Sequence, residues 1–308
     1  MAVGDVEAVP GSDLYYVDTG TYETAGYGSV YLLDAEQPAV VDTGLGTHRD
    51  RLFAALDEVG IGREGLEHVL VTHVHLDHAG GAGFLVEECP NATVRTHERG
   101  VPHLIDPGRL VEGTKAAVGD AWKHYVDPVP VPDDRIEALT GGDVVDLGDR
   151  RIEVTEAPGH APHQVIYHDR GDDVLFTADA AGIYVPAHDE IAPTSPPAQF
   201  HLEKALDDAR TIEGLAPDTL AFGHFGTRAF EPELLEGYRR TLVEWVEAVR
   251  RKRAELDDDE AVVEQFVEHA DYADAWGEEK ARAETRLNVR GVLGYLDYVD
   301  DGDGADGS

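Results

Sequence analysis

The sequence predicts an α/β fold: two β-sheets packed face to face and covered by helices, followed by a helical C-terminal extension. Three observations carry this. The first hundred or so residues, and again the stretch from Asp143 to Phe222, alternate short β-branched or aromatic runs with amphipathic segments. A proline-punctuated excursion separates these two β-rich stretches, and beyond Pro232 the periodicity becomes helical throughout. The chain has 308 residues, room for one large domain or two smaller ones, and its 42% hydrophobic content favours a folded core over an acidic disordered chain. The expected division is a sandwich domain over 1–230, a helical extension over 231–297 and a disordered acidic tail over 298–308.

The strands expected in the first half are Leu14–Asp18, Ser29–Asp34, Ala39–Asp42, His68–Thr72 and Thr93–Thr96. Between them, His48–Val59 sets Leu52, Phe53, Leu56 and Val59 at helical spacing with Gly60 as a stop, and Gly81–Glu88 forms a second short helix. From Gly100 to Ala138 strand signals thin out and Pro102, Pro107, Pro128, Pro130 and Pro132 accumulate, as in a helical excursion followed by a proline-rich connection. Strand patterns return at Asp143–Leu147, Arg151–Glu156, Gln164–His168 and Asp173–Thr177, separated by Gly and Asp turns. Pro193, Pro196 and Pro197 stiffen a loop before a helix near His201–Glu213, and Thr219–Phe222 reads as a last strand. Pro232–Leu256 carries Leu234, Leu235, Tyr238, Leu242, Trp245 or Val246, and Val249 on one face of a long helix. An acidic break at Asp257–Glu260 precedes further helical pattern over Ala261–Ala270 and Glu278–Val289, and the Gly/Asp-rich end carries no structural signal.

The charge is extreme: 62 Asp or Glu against 25 Lys or Arg give a formal −37. Five lysines, at 115, 123, 204, 252 and 280, leave most of the cationic side chains to arginine, a composition similar to that of proteins from salt-loving archaea. In molar salt the Debye length falls to about 3 Å, so the acidity is screened and reports habitat more than partner. At low salt it disfavours nucleic acid and anionic membrane, both of which rely on basic patches. Cys89 is the single cysteine, which excludes an intramolecular disulfide framework and a Cys₄ zinc module. With no signal-peptide pattern at Met1–Gly20 and no 18-residue apolar run, the expectation is a cytoplasmic protein without a membrane role.

Chemistry concentrates in Thr72-His73-Val74-His75-Leu76-Asp77-His78-Ala79-Gly80, directly after a buried-looking strand. Three imidazoles and a carboxylate within six residues suit Zn²⁺, Fe or Mn, and alternation at 73 and 75 lets two rings leave one side of an extended loop. Asp77 and His78 then point toward a second metal position.

With these residues the sequence resembles the metallo-β-lactamase superfamily, whose signature is His-x-His-x-Asp-His after a sheet strand. Further matches follow in order: Val40-Val41-Asp42-Thr43-Gly44 ahead of the signature, then Ala157-Pro158-Gly159-His160, Leu175-Phe176-Thr177-Ala178-Asp179 and Phe222-Gly223-His224 behind it. The resemblance covers roughly Leu14 to Gly226 and implies a four-layer αββα sandwich of two mixed β-sheets. It also implies that His73, His75 and His160 hold one divalent metal, that Asp77, His78 and His224 hold another, most simply zinc in both cases, and that Asp179 bridges them. The reaction implied is attack by a metal-bound hydroxide on an electrophilic carbonyl or phosphorus, with Asp77 orienting the nucleophile. His163 is a candidate outer-sphere donor or substrate contact, and Tyr184 a candidate phenol near the developing oxyanion, as in lactone-cleaving relatives. His97, His103, His124 and His201 match no motif and are expected on the surface or in packing. The Ala157–Gln164 run, Thr194-Ser195-Pro196-Pro197 and Gly223-His224-Phe225-Gly226 look most like an archaeal and bacterial branch of the superfamily, which narrows lineage more than chemistry.

Among the superfamily's activities, a nuclease cap is excluded because only 44 residues separate Asp179 from His224. Flavodiiron relatives carry Glu where His75 stands, and secreted lactamases need an export signal. What remains is hydrolysis of a small-molecule ester, a thioester as in hydroxyacylglutathione hydrolase, or a lactone. The alternative is a mononuclear non-haem iron enzyme resembling persulfide dioxygenase. Arg250-Arg251-Lys252-Arg253 reads either as helix-end cations favoured by the macrodipole or as a site for an anion or partner subunit, and the C-terminal helices offer a surface for homo-oligomer formation.

Overall fold

The computed structural model describes residues 1–305. Its first sheet takes β1 (Val6–Ala8), β2 (Leu14–Asp18), β3 (Ser29–Leu33), β4 (Ala39–Val41), β5 (His68–Leu70), β6 (Thr93–His97) and β7 (Ile136–Leu139) in sequence order. The pairs are antiparallel as far as β4 and parallel from β4 to β7. The helices α1 (Arg49–Glu58), α2 (Gly62–Gly65), α3 (Leu76–Ala79), α4 (Ala82–Glu88), α5 (Val101–Ile105) and α6 (Gly108–Val118) lie in its connections.

The second sheet orders β15-β14-β11-β10-β9-β8, where β8 is Val144–Asp146, β9 Arg151–Glu156, β10 Val165–Asp169, β11 Val174–Ala178, β14 Thr219–Phe222 and β15 Gly226–Ala229. The β11–β14 pair is parallel and the rest antiparallel, and a separate hairpin joins β12 (Ile183–Val185) to β13 (Glu190–Ala192). Then come α7 (Leu202–Leu215), α8 (Pro232–Leu256), α9 (Asp259–Val267), α10 (Ala273–Trp276) and α11 (Glu278–Ala305).

Alternation along the strands sorts the side chains into layers. Tyr31, Leu33, Val41 and Leu70 of the first sheet meet Val154, Val165, Tyr167 and Phe176 of the second in one buried cluster. The intervening Val30, Leu32, Val40 and Val69 turn the other way, onto Leu52, Phe53 and Leu56 of α1 and Leu85 and Val86 of α4. Ile166, Leu175, Leu220 and Phe222 turn onto α7, α8, α9 and α11. That is the αββα sandwich of two mixed sheets.

The long helix has the bounds its periodicity predicts, and of the two candidates for its core face Val246 is fully buried while Trp245 packs at the margin and donates from Nε1 to Ser195 Oγ at 3.1 Å. Leu235, Tyr238, Leu242, Val246 and Val249 are its buried face. At roughly 1.5–3 kcal/mol for each fully buried apolar side chain, this face binds the extension to the second sheet.

Two expectations need correction. The tail expected to be disordered from 298 is helical as far as Ala305, because Val292, Leu293, Leu296 and Val299 prolong the apolar face of α11 against the same cluster; residues 306–308 lie outside the described residues. The proline-rich connection ends in β7, which adds an edge strand beside β6. No helix among the described residues is long and apolar enough to cross a membrane.

Candidate metal centre

All seven residues singled out as ligands converge on one edge of the sandwich. After β5 the chain runs extended through Thr72–His75, so His73 and His75 face the same side, and the one-turn α3 then presents Asp77 and His78. His160 sits in the β9–β10 turn. Gly159 before it must lack a side chain, since a Cβ there would meet the Ala205 backbone of α7 at 2.2 Å. A register shift between Phe176 and Ala178 at the end of β11 re-aims the strand before Asp179. His224 lies in the turn from β14 to β15.

Their donor atoms form two overlapping groups. His75 Nδ1 lies 3.1 Å from His73 Nε2 and 3.0 Å from His160 Nε2. His78 Nε2 and His224 Nε2 are 3.2 Å apart, with Asp77 Oδ2 3.8 Å from the latter. Asp179 stands between: Oδ2 is 3.1 Å from His160 Nε2, while Oδ1 is 3.3 Å from His78 Nε2 and 3.7 Å from His224 Nε2. Oδ1 is buried without an aligned hydrogen bond. Ring nitrogens facing one another at about 3 Å, around a buried carboxylate oxygen with no donor of its own, fit divalent cations. His73, His75 and His160 bring their atoms within 4.8 Å of one another, as do Asp77, His78 and His224, and His73, His78 and Asp179.

Outer contacts fix the ring orientations, as metal-ligating histidines require. Asp42, at the end of β4, accepts from the Thr72 backbone N–H at 2.8 Å and from Thr72 Oγ1 at 2.9 Å, and its Oδ2 holds His78 Nδ1 at 2.8 Å. Nε2 of His78 is thereby turned inward. His224 Nδ1 donates to the Tyr27 carbonyl at 3.0 Å, and the Tyr27 ring lies on the imidazole with centroids 4.7 Å apart.

Burial, then the positive field of neighbouring imidazoles, pushes His73 well below the usual histidine range and His160 down to about 3. Neutral rings have the lone pair a metal needs. Burial also opposes charge on His78, but the Asp179 and Asp42 carboxylates outweigh it and raise its proton affinity. Burial likewise opposes ionisation of Asp179, yet His160, His78 and His224 hold it below the ordinary carboxylate range. A negative field that draws a proton onto His78 will also draw a divalent cation in its place.

The centre forms the floor of a cavity of about 720 Å³. His163 lines it; Nδ1 accepts weakly from the Val74 N–H at 3.4 Å, and burial followed by the surrounding histidines pushes its pKa down to about 2. Tyr184 is placed differently from its expected role. Its hydroxyl donates to Asp189 Oδ1 at 3.0 Å and its ring stacks on Phe222, because β12 turns the side chain away from the floor toward the Asp189–Arg228 pair. The phenol beside the centre is Tyr22, whose hydroxyl donates to Asp77 Oδ2 at 3.1 Å and meets the Tyr125 hydroxyl at 2.5 Å. Tyr22 sits at φ 57, a strained conformation outside glycine. Neither tyrosine lies in a motif, so no spacing signal marks them.

Glu284 of α11 was also missed; buried at the cavity wall, it accepts from Tyr27 Oη at 2.7 Å and pairs with Lys280 at 2.6 Å. His103, expected among surface or packing histidines, lines the cavity 6.1 Å from the His163 ring. Cys89 is buried at the end of α4, and burial raises its thiol to about 11, as suits an inert packing residue. Arg250, Lys252 and Arg253 pair with Glu247, Glu255, Asp259 and Asp297 around the end of α8.

The fold and this histidine–aspartate cluster define a metal-binding hydrolase of the αββα type. The family profile described as the metallo-beta-lactamase superfamily matches residues 24–224, and the chain belongs to that superfamily. It is 26% identical over 240 residues to the metallo-beta-lactamase fold-containing protein ST1585 of Sulfurisphaera tokodaii, covering 76% of this chain and 86% of that one. The solved structure of ST1585 superposes with a TM-score of 0.70 at 23% identity, over 92% of this chain and 99% of the other. BJP-1, a subclass B3 metallo-beta-lactamase of Bradyrhizobium japonicum, gives 0.58 at 20% identity over 80% and 94%; at these identities the likeness is one of fold. Acyl-coenzyme A thioesterase MBLAC2 of Gallus gallus is 30% identical over 184 residues, which span 55% of this chain and 63% of that protein.

Proposed function

We propose that the chain hydrolyses a small-molecule thioester, ester or lactone, using two divalent ions, zinc in the first instance, held by His73, His75 and His160 and by Asp77, His78 and His224. The observation that carries this reading is Asp179, whose two oxygens face different histidine groups at 3.1 and 3.3 Å, the disposition a bridging carboxylate needs. Such ions, when bound, acidify water to a pKa near 7 and polarise a carbonyl oxygen.

The chain's own groups supply orientation. Asp77 Oδ2 accepts a hydrogen bond from the Tyr22 hydroxyl, and Tyr125 in turn donates to the Tyr22 oxygen, so the carboxylate is held in one rotamer beside His224 with its other oxygen left to align water. His163, with its Nδ1 turned to a backbone N–H, keeps its proton on Nε2 as a donor for a substrate oxygen. A mononuclear iron dioxygenase would leave Asp77, His78 and His224 gathered without a task, which favours the hydrolase. The MBLAC2 likeness supports thioesters within that class. The acidic composition supports a salt-rich cytoplasm as the setting.

Elemental analysis of the purified protein, combined with a panel of thioesters, lactones and phosphodiesters, tests this. Two metal ions per chain with turnover on the panel is the expected result; one iron with O₂ consumption would overturn it. Asp77→Asn should lower kcat by about 10²–10⁴-fold, the range for a positioned acid–base group, with the fold intact in high salt. Unchanged turnover in that variant, or in chelator-stripped protein, would remove the mechanism.

A further inference from the structure

We infer that the substrate is amphiphilic, with an apolar chain lying along α6 and an anionic end held by Arg109 and Arg290, a subsite that rests on the hydrolase reading and names its substrate class. The argument starts from α6. It is amphipathic, yet none of its residues is buried. Leu110, Thr114 and Ala117, at positions i, i+4 and i+7, line the cavity above the metal centre, with Leu110 also packing in part against the core of the first sheet. Across from them stand Leu287 of α11, Ile183 and the Pro196–Pro197 segment. No residue of this stripe is fully buried, and its cavity-facing side is covered completely only when an apolar group enters, so the cavity fits a chain of several methylenes.

The two guanidinium groups edge the same two walls. Arg109 adjoins Leu110 on α6, and Arg290 follows Leu287 by one turn of α11. They are the only cationic Lys or Arg side chains lining the cavity among the described residues. Arg109 makes no ion pair among those residues, and Arg290 engages Glu260 through Nη2 alone, at 3.3 and 3.4 Å from its two oxygens. In a chain of 62 acids and 25 Lys or Arg, two guanidinium groups so weakly engaged at one cavity have donors to spare for a phosphate or carboxylate.

Uncleavable thioethers test the subsite without turnover: S-octyl-pantetheine (neutral), S-octyl-4′-phosphopantetheine (phosphate on the thiol side) and S-(7-carboxyheptyl)-pantetheine (carboxylate on the acyl side), titrated calorimetrically into the metal-loaded protein at fixed salt. At least one charged probe should bind about tenfold or more tightly than the neutral one, and which one locates the anion. R109Q/R290Q should lose that preference while keeping the neutral probe's affinity, which also reports an intact cavity. Equal binding of all three probes would overturn the subsite. So would a preference that survives in R109Q/R290Q, which would place the anion on the metal centre. Cleavage of S-octanoyl-pantetheine is scored separately: a charge preference without cleavage defeats the hydrolase reading alone, and cleavage without a preference defeats the subsite alone.

Discussion

Tyr22 shows how much a single side chain can hide from the sequence. It stands among Gly20, Thr21, Gly26 and Gly28, a loop with no periodicity, and reaches the centre because Asp18 fastens that loop through the Gly20 and Gly26 N–H groups at 2.8 and 2.7 Å. Its hydroxyl then meets Asp77 across 55 residues of chain. A hydrogen bond to a charged group contributes about 1.5–3 kcal/mol, so Tyr22→Phe should lower kcat by about 10–100-fold while two metals remain bound by elemental analysis. Tyr125→Phe, one hydroxyl further out, should cost less. If Tyr22→Phe kept full kcat, the tyrosine would be packing for Tyr27 and Lys280, whose ammonium lies 4.2 Å from its ring. The ligands themselves were legible for the opposite reason. His73, His75, Asp77 and His78 stand in one short run, and His160, Asp179 and His224 each follow, within four residues, a strand whose alternation could be read. Tyr184 misled because distance along the chain from Asp179 says nothing about which face a short hairpin strand presents.

At the scale of elements, the strands of the sandwich and the helices with strong periodicity as far as α8 were legible to within a residue or two. By contrast, α9 ends three residues before the expected Ala270, α11 runs sixteen residues past the expected Val289, and some short elements held by pairing were not legible at all. β1, β12 and β13, of three residues each, and β7 and β15, of four, went unmarked and are held by pairing. The role of the C-terminal helices was equally invisible. α11 approaches the Pro196–Pro197 segment so closely that a Cβ at Gly291 would meet the Ser195 carbonyl at 1.8 Å, and from there Glu284 reaches Tyr27. α7 braces the other side: Asp208 accepts from the Gly159 N–H at 2.6 Å, one residue before His160. Burial raises that carboxyl from 3.8 to about 7. Between those values the native chain keeps a proton that the unfolded chain has released, so the stabilisation Asp208 brings below pH 3.8 is lost as pH rises toward 7. Asp208→Asn keeps an acceptor and removes the titration. Its advantage over the native protein in denaturant unfolding should therefore grow between pH 4.5 and 7.5, to an order of a few kcal/mol, and stay level above that. An equal difference at both pH values would mean that Asp208 enters the fold already ionised.

For the whole molecule, the −37 charge acquires a location. Among the described residues the buried acids are Asp18, Asp42, Asp169, Asp179, Asp208 and Glu284, and each has a partner: backbone N–H groups, Thr72, Arg150, the histidines or Lys280. Nearly all the other acids among the described residues therefore face solvent at least in part, in a chain with 62 acids against 25 Lys and Arg. Many of those cations are already committed to exposed ion pairs, and pairs of that kind contribute roughly 0–1 kcal/mol each. The residual repulsion falls on the compact state, because unfolding separates the charges. Salt acts on that term directly: the Debye length shrinks from about 10 Å at 0.1 M to about 3 Å at 1 M, below the spacing of most surface carboxylates. The melting temperature should accordingly climb steeply between 0.1 and 1 M KCl and level off toward 3 M. Excluded-solute effects also raise melting temperatures, so the discriminating comparison is sucrose, which strengthens burial without screening. A melting temperature that sucrose at matched osmolality raises as far as KCl does, or one unchanged between 0.1 and 3 M KCl, would show that the acidic surface is not what limits this fold.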